Sequence, residues 1–320
     1  MKALRLHAPG EIHLHDEPFP QAGPGEVLVR VKAVGICGSD LLWFQSGGIG
    51  DARLTRPLVP GHEFAGVIAA GPRRGVRVAV DPAIPCHTCS LCQQGHPNLC
   101  LHLRFAGDGN EDGALREYLA WPEECLFPLP DTLSEAEGAL LEPLGVALHA
   151  VDLAHPFPGA RVGVFGCGPI GLFLIQLMQQ AGAEEILVSE PLPHRLEAAR
   201  RWGARPWEDG QEVDVAFEAA GEDSAVTAAM TAVRPGGRVI LIGIPANDRT
   251  TFPASLARRK GLTIKLVRRM KFTYPRALRL VESGRVDARA LVSHRFPLDQ
   301  AQTAFAVAQR REGLKVIIEL

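Results

Sequence analysis

Four cysteines, Cys86, Cys89, Cys92 and Cys100, fall within fifteen residues at the spacing C-x2-C-x2-C-x7-C. Such a cluster is either a set of disulfides or a closed zinc site with four thiolate ligands. Disulfides suit small secreted domains that cannot build a core. This chain has 320 residues, is 46% hydrophobic, and runs from Met1-Lys2-Ala3-Leu4-Arg5-Leu6 straight into strand-like alternation, with no signal peptide expected. Zinc is the better reading. Tetrahedral Zn–S bonds of about 2.3 Å need thiolates gathered by tight turns, and two successive x2 spacers allow that. Apolar residues are few around the cysteines, so the metal would replace a local core.

A second constellation is spread more widely. Cys37 lies in Gly35-Ile36-Cys37-Gly38-Ser39-Asp40, and His62 and Glu63 in Pro60-Gly61-His62-Glu63-Phe64. A lone cysteine after an apolar strand is usually a buried small hydrophobe, and a lone histidine is more often structural than ligating. Together with a carboxylate they give three protein ligands and leave a fourth position open, the mark of catalytic zinc. Glu142, in Leu141-Glu142-Pro143-Leu144-Gly145, is a second carboxylate candidate just before the point where a domain cleft is expected. Asp40 can orient the His62 ring. Ser39 can pass a proton from a substrate alcohol towards solvent.

The third feature is Gly166-Cys167-Gly168-Pro169-Ile170-Gly171, a G-x-G-x-x-G that follows an expected strand and opens an expected helix. Gly166 permits the tight turn, Gly168 lets the backbone approach a pyrophosphate, and Gly171 allows close helix–sheet packing. Pro169 and Ile170 start the helix whose N-terminal N–H groups face the anion. Glu190, at the end of the next strand, can accept both ribose hydroxyls and would repel a 2′-phosphate, so NAD is favoured over NADP. Arg195 either stacks on adenine or is a solvated helix charge.

The elements that must position these residues follow two grammars. The first 145 residues read as β-rich, with strands at 26–33, 66–69 and 77–80 and long loops that carry most of the Cys, His and Gly. From about residue 160 strands at 161–166, 185–190, 213–218 and 237–242 alternate with helices at 169–181, 193–202 and 224–233. That pattern makes a parallel sheet with right-handed crossovers, an α/β fold. The tail from about Val286 mixes short strands with a helix at 298–309 and ends in a strand at 314–318. Two domains fit this length. The net charge of −2, from 34 basic and 36 acidic residues, gives no argument for nucleic acid or a membrane surface. The longest apolar stretch, 170–178, is too short to span a bilayer. A soluble cytoplasmic protein is expected. Cys125 and Cys167 read as buried packing residues.

Taken together, these residues resemble the zinc-dependent medium-chain dehydrogenase/reductase superfamily and, within it, the polyol (sorbitol-type) branch. Gly35 to Asp40, Gly48-Ile49-Gly50-Asp51 leading to Gly61-His62-Glu63, the four cysteines, Glu142-Pro143-Leu144, Gly166 to Gly171 and the stretch Leu291 to Leu298 all fall in family order. The resemblance implies a GroES-like β-rich catalytic domain over 1–145, rejoined by 268–320, with a Rossmann NAD-binding domain over 146–267. It implies one catalytic zinc on Cys37, His62 and Glu63, with Glu142 as an alternating ligand or proton-relay group, and one structural zinc on Cys86, Cys89, Cys92 and Cys100. It implies a homodimer or homotetramer, with Val239 to Ile244 and Leu262 to Leu266 able to pair across a two-fold as edge strands.

Three departures from the branch stand out. Leu42 occupies the position of a relay histidine, so the relay would run through Ser39, the cofactor ribose and water, or be slower. Arg268 matches a substrate-contacting arginine, but Arg269 replaces the tyrosine that follows it; a second guanidinium favours an anionic substrate group, or else points to solvent or a subunit interface. The stretch Trp202 to Val213 is too short for the usual crossover helix. The expected activity is oxidation of a secondary alcohol of a polyol or sugar-like substrate with NAD. Alternatives are an amino-alcohol (threonine-type) or a sugar-acid or sugar-phosphate dehydrogenase and, outside enzymes, an NAD-binding, zinc-stapled sensor or structural protein.

Overall fold

The computed structural model describes residues 1–109 and 111–320. Two compact units divide the chain: Met1–Glu142 with Tyr274–Leu320, and Pro143–Thr273.

The first unit is built on a sheet in the strand order Leu126–Pro128, Arg77–Val80, Glu63–Ile68, Glu26–Gly35, Lys315–Glu319, Val292–Pro297. Glu26–Gly35 is the long central strand, and Tyr118–Pro122 also pairs with it. Its far end meets Glu63–Ile68 in antiparallel register, Gly35 opposite Glu63, and Lys315–Glu319 with Gly35 opposite Ile317. Three segments distant in sequence therefore end at one place. A hairpin, Lys2–Ala8 with Glu11–Asp16, buries Leu4, Leu6 and Ile12 in the core together with Trp43, Phe64 and Trp121.

The second unit holds a six-stranded parallel sheet in the order Arg205–Pro206, Glu185–Ser189, Arg161–Phe165, Val213–Glu218, Val233–Leu241, Thr263–Leu266. In order of sequence this is 3-2-1-4-5-6, the doubly wound dinucleotide-binding arrangement, whose ligand crevice lies beyond the ends of the first and fourth strands. The helices Pro169–Gln180, Pro193–Arg201 and Asp223–Ala232 alternate with the strands as the sequence predicts. The shortened crossover is present: the chain passes from Arg205–Pro206 to Val213–Glu218 through turns alone. Trp207 lies in this segment. Its ring meets Phe165 edge-on at 5.7 Å, and its Nε1–H donates to the Gln211 carbonyl.

One expectation is corrected. Residues 239–241 belong to Val233–Leu241, an interior strand paired on both sides, with Val213–Glu218 and with Thr263–Leu266. Its backbone groups are already used, so it cannot pair across a two-fold. Residues 242–244 lie beyond the strand, where Ile242 N–H bonds back to the Glu218 carbonyl. Of the two stretches, Thr263–Leu266 is the one at a sheet edge, and Leu266 is 73% exposed there. Cys125 and Cys167 are buried. Among the described residues no helix is long and apolar enough to cross a membrane.

Candidate functional site

In the first unit the Cys37 Sγ, a His62 ring nitrogen and a Glu63 carboxylate oxygen lie within 4.8 Å of one another. Local sequence explains how. Cys37 is the N-cap of the helix Gly38–Ser46, and Asp40, three residues on, accepts from the Cys37 N–H at 2.9 Å. The other Asp40 oxygen accepts from the Gly61 N–H at 3.1 Å and stands 3.5 Å from His62 Nδ1. One buried carboxylate thus ties the loop carrying Cys37 to the turn carrying His62. Gly61 has φ +96°, and a Cβ there would lie 2.8 Å from Val34, so only glycine fits that turn.

With Nδ1 facing Asp40, His62 Nε2 points the other way, 3.4 Å from Ser39 Oγ. Phe105 packs on the ring at 5.3 Å between centroids. A carboxylate behind one nitrogen fixes the tautomer that leaves the other free to ligate. Burial alone would lower the His62 pKa, but the charges of Asp40 and Cys37 raise it well above the usual imidazole value. Burial would raise the Asp40 pKa; His62 and the two backbone donors overcome it and keep the carboxylate ionised. A soft thiol, an imidazole and a carboxylate together suit zinc, and three ligands leave its fourth position for a reactant.

Glu142, in the first turn of the helix Leu141–Ala154, is also buried. Burial pushes its carboxyl up to about 7, with His62 opposing and Glu63 adding to the shift. Its charge therefore interacts with that of the same cluster.

The sequence reading missed Lys315. This lysine is 3% exposed, pairs with Glu63, and donates from Nζ to the Ile36 carbonyl at 2.9 Å. Burial would lower its pKa, but Glu63, Cys37 and Asp40 raise it, so it is a cation. Gly35 makes room for this pair: a Cβ there would collide with the Glu63 carboxylate and the Lys315 side chain. The signal available was a lysine at the start of an otherwise apolar strand, Lys315-Val316-Ile317-Ile318. Asp40→Asn is expected to weaken zinc binding at this cluster by about 10–100-fold, read by competition with a chelator, while the zinc of the four cysteines is retained. Unchanged retention of both would remove Asp40 from the account.

The Sγ atoms of Cys86, Cys89, Cys92 and Cys100 also lie within 4.8 Å of one another, and all of the cysteines are free thiols. Cys89 caps the single turn Ser90–Gln93, Cys92 lies within it, and Cys100 follows the turn Pro97–Leu99. Backbone N–H groups of Cys86 and His102 point at Cys100 Sγ, and that of Cys89 at Cys86 Sγ, at 3.2–3.3 Å. The Thr88 hydroxyl and the Cys89 and Thr88 backbone N–H groups bring the Cys86 thiol down to about 5, whereas burial and its neighbouring thiols push Cys92 up to about 12. Cys89 Sγ and Cys100 Sγ are 4.0 Å apart, close to the roughly 3.8 Å between thiolates around tetrahedral zinc. A group held by four thiolates has no place for a reactant. Cys92→Ser is expected to release one zinc and expose this lobe to limited proteolysis, with turnover per intact chain retained. Loss of hydride transfer in an otherwise stable protein would contradict that.

In the second unit Gly166 has φ +97° and sits against Ala219 and Ala220 of the neighbouring strand's loop, 2.9–3.0 Å from a would-be Cβ. A Cβ on Gly171 would fall on the Gly166 carbonyl. In front of Gly168, the N-cap of Pro169–Gln180, only Arg195 Nη1 comes near, 3.6 Å from the place of a Cβ. This open approach to a helix N-terminus, with a guanidinium beside it, suits a pyrophosphate. Arg195 itself belongs to the helix Pro193–Arg201 that follows the second strand. Glu190 accepts from the Cys167 N–H at 2.6 Å and from the Leu192 N–H at 3.0 Å. A carboxylate has about four acceptor positions, so two remain for ribose hydroxyls. Pro169 and Ile170 form the first turn of the helix. Arg268 and Arg269 follow the strand Thr263–Leu266; Arg268 is exposed, and Arg269 has φ +56°.

Comparison with known proteins adds the following. The family model "Alcohol dehydrogenase GroES-like domain" matches residues 23–131, and "Zinc-binding dehydrogenase" matches residues 169–283. The chain is 35% identical to sorbitol dehydrogenase of Bacillus subtilis (strain 168), covering 99% of this chain and 97% of that one. Among solved structures, L-idonate 5-dehydrogenase of Escherichia coli superposes with a TM-score of 0.92 at 25% identity, covering 100% of this chain and 98% of that one. An alcohol dehydrogenase of Escherichia coli CFT073, solved with NADH, gives a TM-score of 0.91 at 27% identity, covering 100% and 99%.

Proposed function

This chain belongs to the zinc-dependent medium-chain alcohol dehydrogenase family, and on that premise we propose that it oxidises a secondary alcohol of a polyol or sugar-like substrate to a ketone, reversibly, with NAD. It is an oxidoreductase that uses zinc and NAD, which sets aside a non-catalytic sensor. The observation that carries the proposal is the convergence of Cys37 with the buried His62 and Glu63 on one point.

In this reading Cys37, His62 and Glu63 hold the catalytic zinc, and Cys86, Cys89, Cys92 and Cys100 hold a second, structural one. When bound, the catalytic zinc supplies Lewis acidity to the substrate oxygen, and NAD accepts the hydride. The chain's own residues do the rest. Asp40 fixes the His62 ring, and Lys315 fixes the Glu63 carboxylate. Ser39 Oγ, beside His62, takes the substrate's hydroxyl proton towards solvent. Glu142 is the second proton-holding group, or an alternating ligand to the same metal, and its carboxyl near 7 suits proton exchange at neutral pH. Leu42 is apolar, so the relay passes it by. Gly166, Gly168, Pro169, Ile170 and Gly171 carry the pyrophosphate of NAD, Glu190 the adenine ribose, and Arg195 the edge of that site.

The unit Met1–Glu142 with Tyr274–Leu320 is taken as the catalytic domain and Pro143–Thr273 as the NAD domain, a few residues from the division at 1–145, 268–320 and 146–267 expected from the sequence. The substrate assignment rests on likeness to enzymes named for sorbitol and L-idonate. Arg268 contacts the substrate, and Arg269 extends the choice to sugar acids or sugar phosphates through a second guanidinium. An amino-alcohol substrate of the threonine type is the alternative within enzymes. A homodimer or homotetramer in the cytoplasm completes the proposal, with the exposed edge Thr263–Leu266 as the pairing strand. The test is NADH absorbance with NAD against sorbitol and other polyols, aldonates, sugar phosphates and threonine. Turnover of polyols or aldonates supports the assignment; turnover of threonine alone, or of nothing by a protein loaded with two zincs, overturns it.

A further inference from the structure

Glu218 is the last residue of the strand Val213–Glu218, the fourth of the parallel sheet, and is 1% exposed. On one side it pairs with Phe165, where the first strand ends, and on the other with Leu241, where Val233–Leu241 ends. From this point of the sheet the ligand crevice opens. We propose that Glu218 is a positioning residue for NAD, its carboxylate holding the loops after the fourth and fifth strands in their cofactor-ready shape before NAD arrives, a role that rests on the NAD reading of the glycine loop.

The two loops are tied through this one residue. Glu218 Oε1 accepts from the Ala220 N–H and from the Gly221 N–H, both at 2.7 Å. Its main-chain carbonyl accepts from the Ile242 N–H at 2.8 Å and from the Gly243 N–H at 3.2 Å. The loops also touch directly. A Cβ on Gly243 would lie 2.1 Å from the Gly221 nitrogen and 2.9 Å from Glu218 Oε2, so no side chain fits between them.

The loop that Glu218 fixes also backs the glycine turn. The Ala219 N–H donates to the Phe165 carbonyl at 2.8 Å, and the place of a Cβ on Gly166 is 2.9 Å from the Ala220 nitrogen. A displaced Ala220 would press on Gly166 or leave a gap behind it, and Gly166 begins the turn that receives the pyrophosphate.

The choice of a carboxylate is informative. Burial raises the Glu218 pKa above the usual carboxylate value, and the groups that oppose the shift are the backbone N–H donors of Gly221, Ala220, Glu222 and Gly243. An acid stabilised by main-chain donors fixes backbone, whereas an acid paired with arginine fixes a side chain. A loop ordered in advance spares NAD the entropy of ordering it on binding. The competing explanation is a purely structural knot, which would affect stability and leave cofactor affinity alone.

The test compares the zinc-loaded parent with two variants. Glu218→Gln keeps one acceptor and turns the other into a donor; Glu218→Asp keeps the charge and withdraws it by one methylene. NADH affinity is measured by fluorescence titration, and turnover with NAD and the alcohol that the parent oxidises fastest. In both variants the Kd for NADH and the KM for NAD should rise by about tenfold. The kcat at saturating NAD should not fall, because saturating cofactor restores the bound geometry. Hydrogen exchange on the parent gives a reading that needs no variant: the Ala220 and Gly221 amides should be protected as well without NADH as with it. Unchanged NADH affinity in a folded variant, a fall in kcat at constant KM for NAD, or protection of these amides only once NADH is bound would each overturn the proposal. A parent that binds no NADH would instead overturn the NAD reading of the glycine loop, and this role with it.

Discussion

Cys37→Ser is expected to abolish turnover and to lower bound zinc by about one equivalent per chain. Serine is nearly isosteric, and the Cys37 N–H that donates to Asp40 belongs to the backbone, so the loop geometry survives the change. What is lost is the thiolate, the one soft ligand of the cluster. Polarisation of a substrate oxygen by a bound metal is worth several kcal/mol of transition-state stabilisation. At 1.36 kcal/mol per factor of ten, the loss in rate is about a thousandfold or more. Zinc measured by mass spectrometry alongside NADH absorbance reads both effects on one sample. Full activity with an unchanged metal content would sink the assignment.

Lys315→Met is expected to destabilise the zinc-free protein by about 3–5 kcal/mol, the usual cost of leaving one member of a buried ion pair without its partner. Lys315 and Glu63 are 3% and 1% exposed, so solvent screens little of this interaction. The Ile36 carbonyl loses its donor as well. In the zinc-loaded protein the metal's charge faces the same Glu63 carboxylate, and the loss should be clearly smaller. Denaturant midpoints measured with and without zinc make the comparison. Adding Glu63→Gln should restore much of the zinc-free stability, because no buried charge then remains unpaired, but it should not restore metal binding. An equal loss with and without zinc would separate Lys315 from the metal cluster and confine it to the fold.

How much of this was legible before the structure depended on how far apart the partners lie in the chain. The four cysteines and the G-x-G-x-x-G declare themselves by local spacing, because a turn and a helix start are local objects. The link from Asp40 to His62 was readable in part, since Asp40 stands three residues after the N-cap that it closes. The missing crossover helix could be read from the few residues between Trp202 and Val213. Lys315 could not be found that way: its carbonyl partner, Ile36, lies 279 residues away, and only the strand order brings them together. Strand order also explains the misplaced edge. An apolar strand at 237–242 has the same composition whether or not a neighbour covers its other side, and Thr263–Leu266 turned out to cover it.

The central claim is a division of labour between two metal positions, one closed and one open to a reactant. Anomalous diffraction at the zinc edge, from crystals of the protein grown with NAD, tests it most directly. Two peaks per chain are predicted, one enclosed by Cys86, Cys89, Cys92 and Cys100, the other bounded by Cys37, His62 and Glu63. A single peak at the four cysteines, in protein that still turns over substrate, would contradict the account.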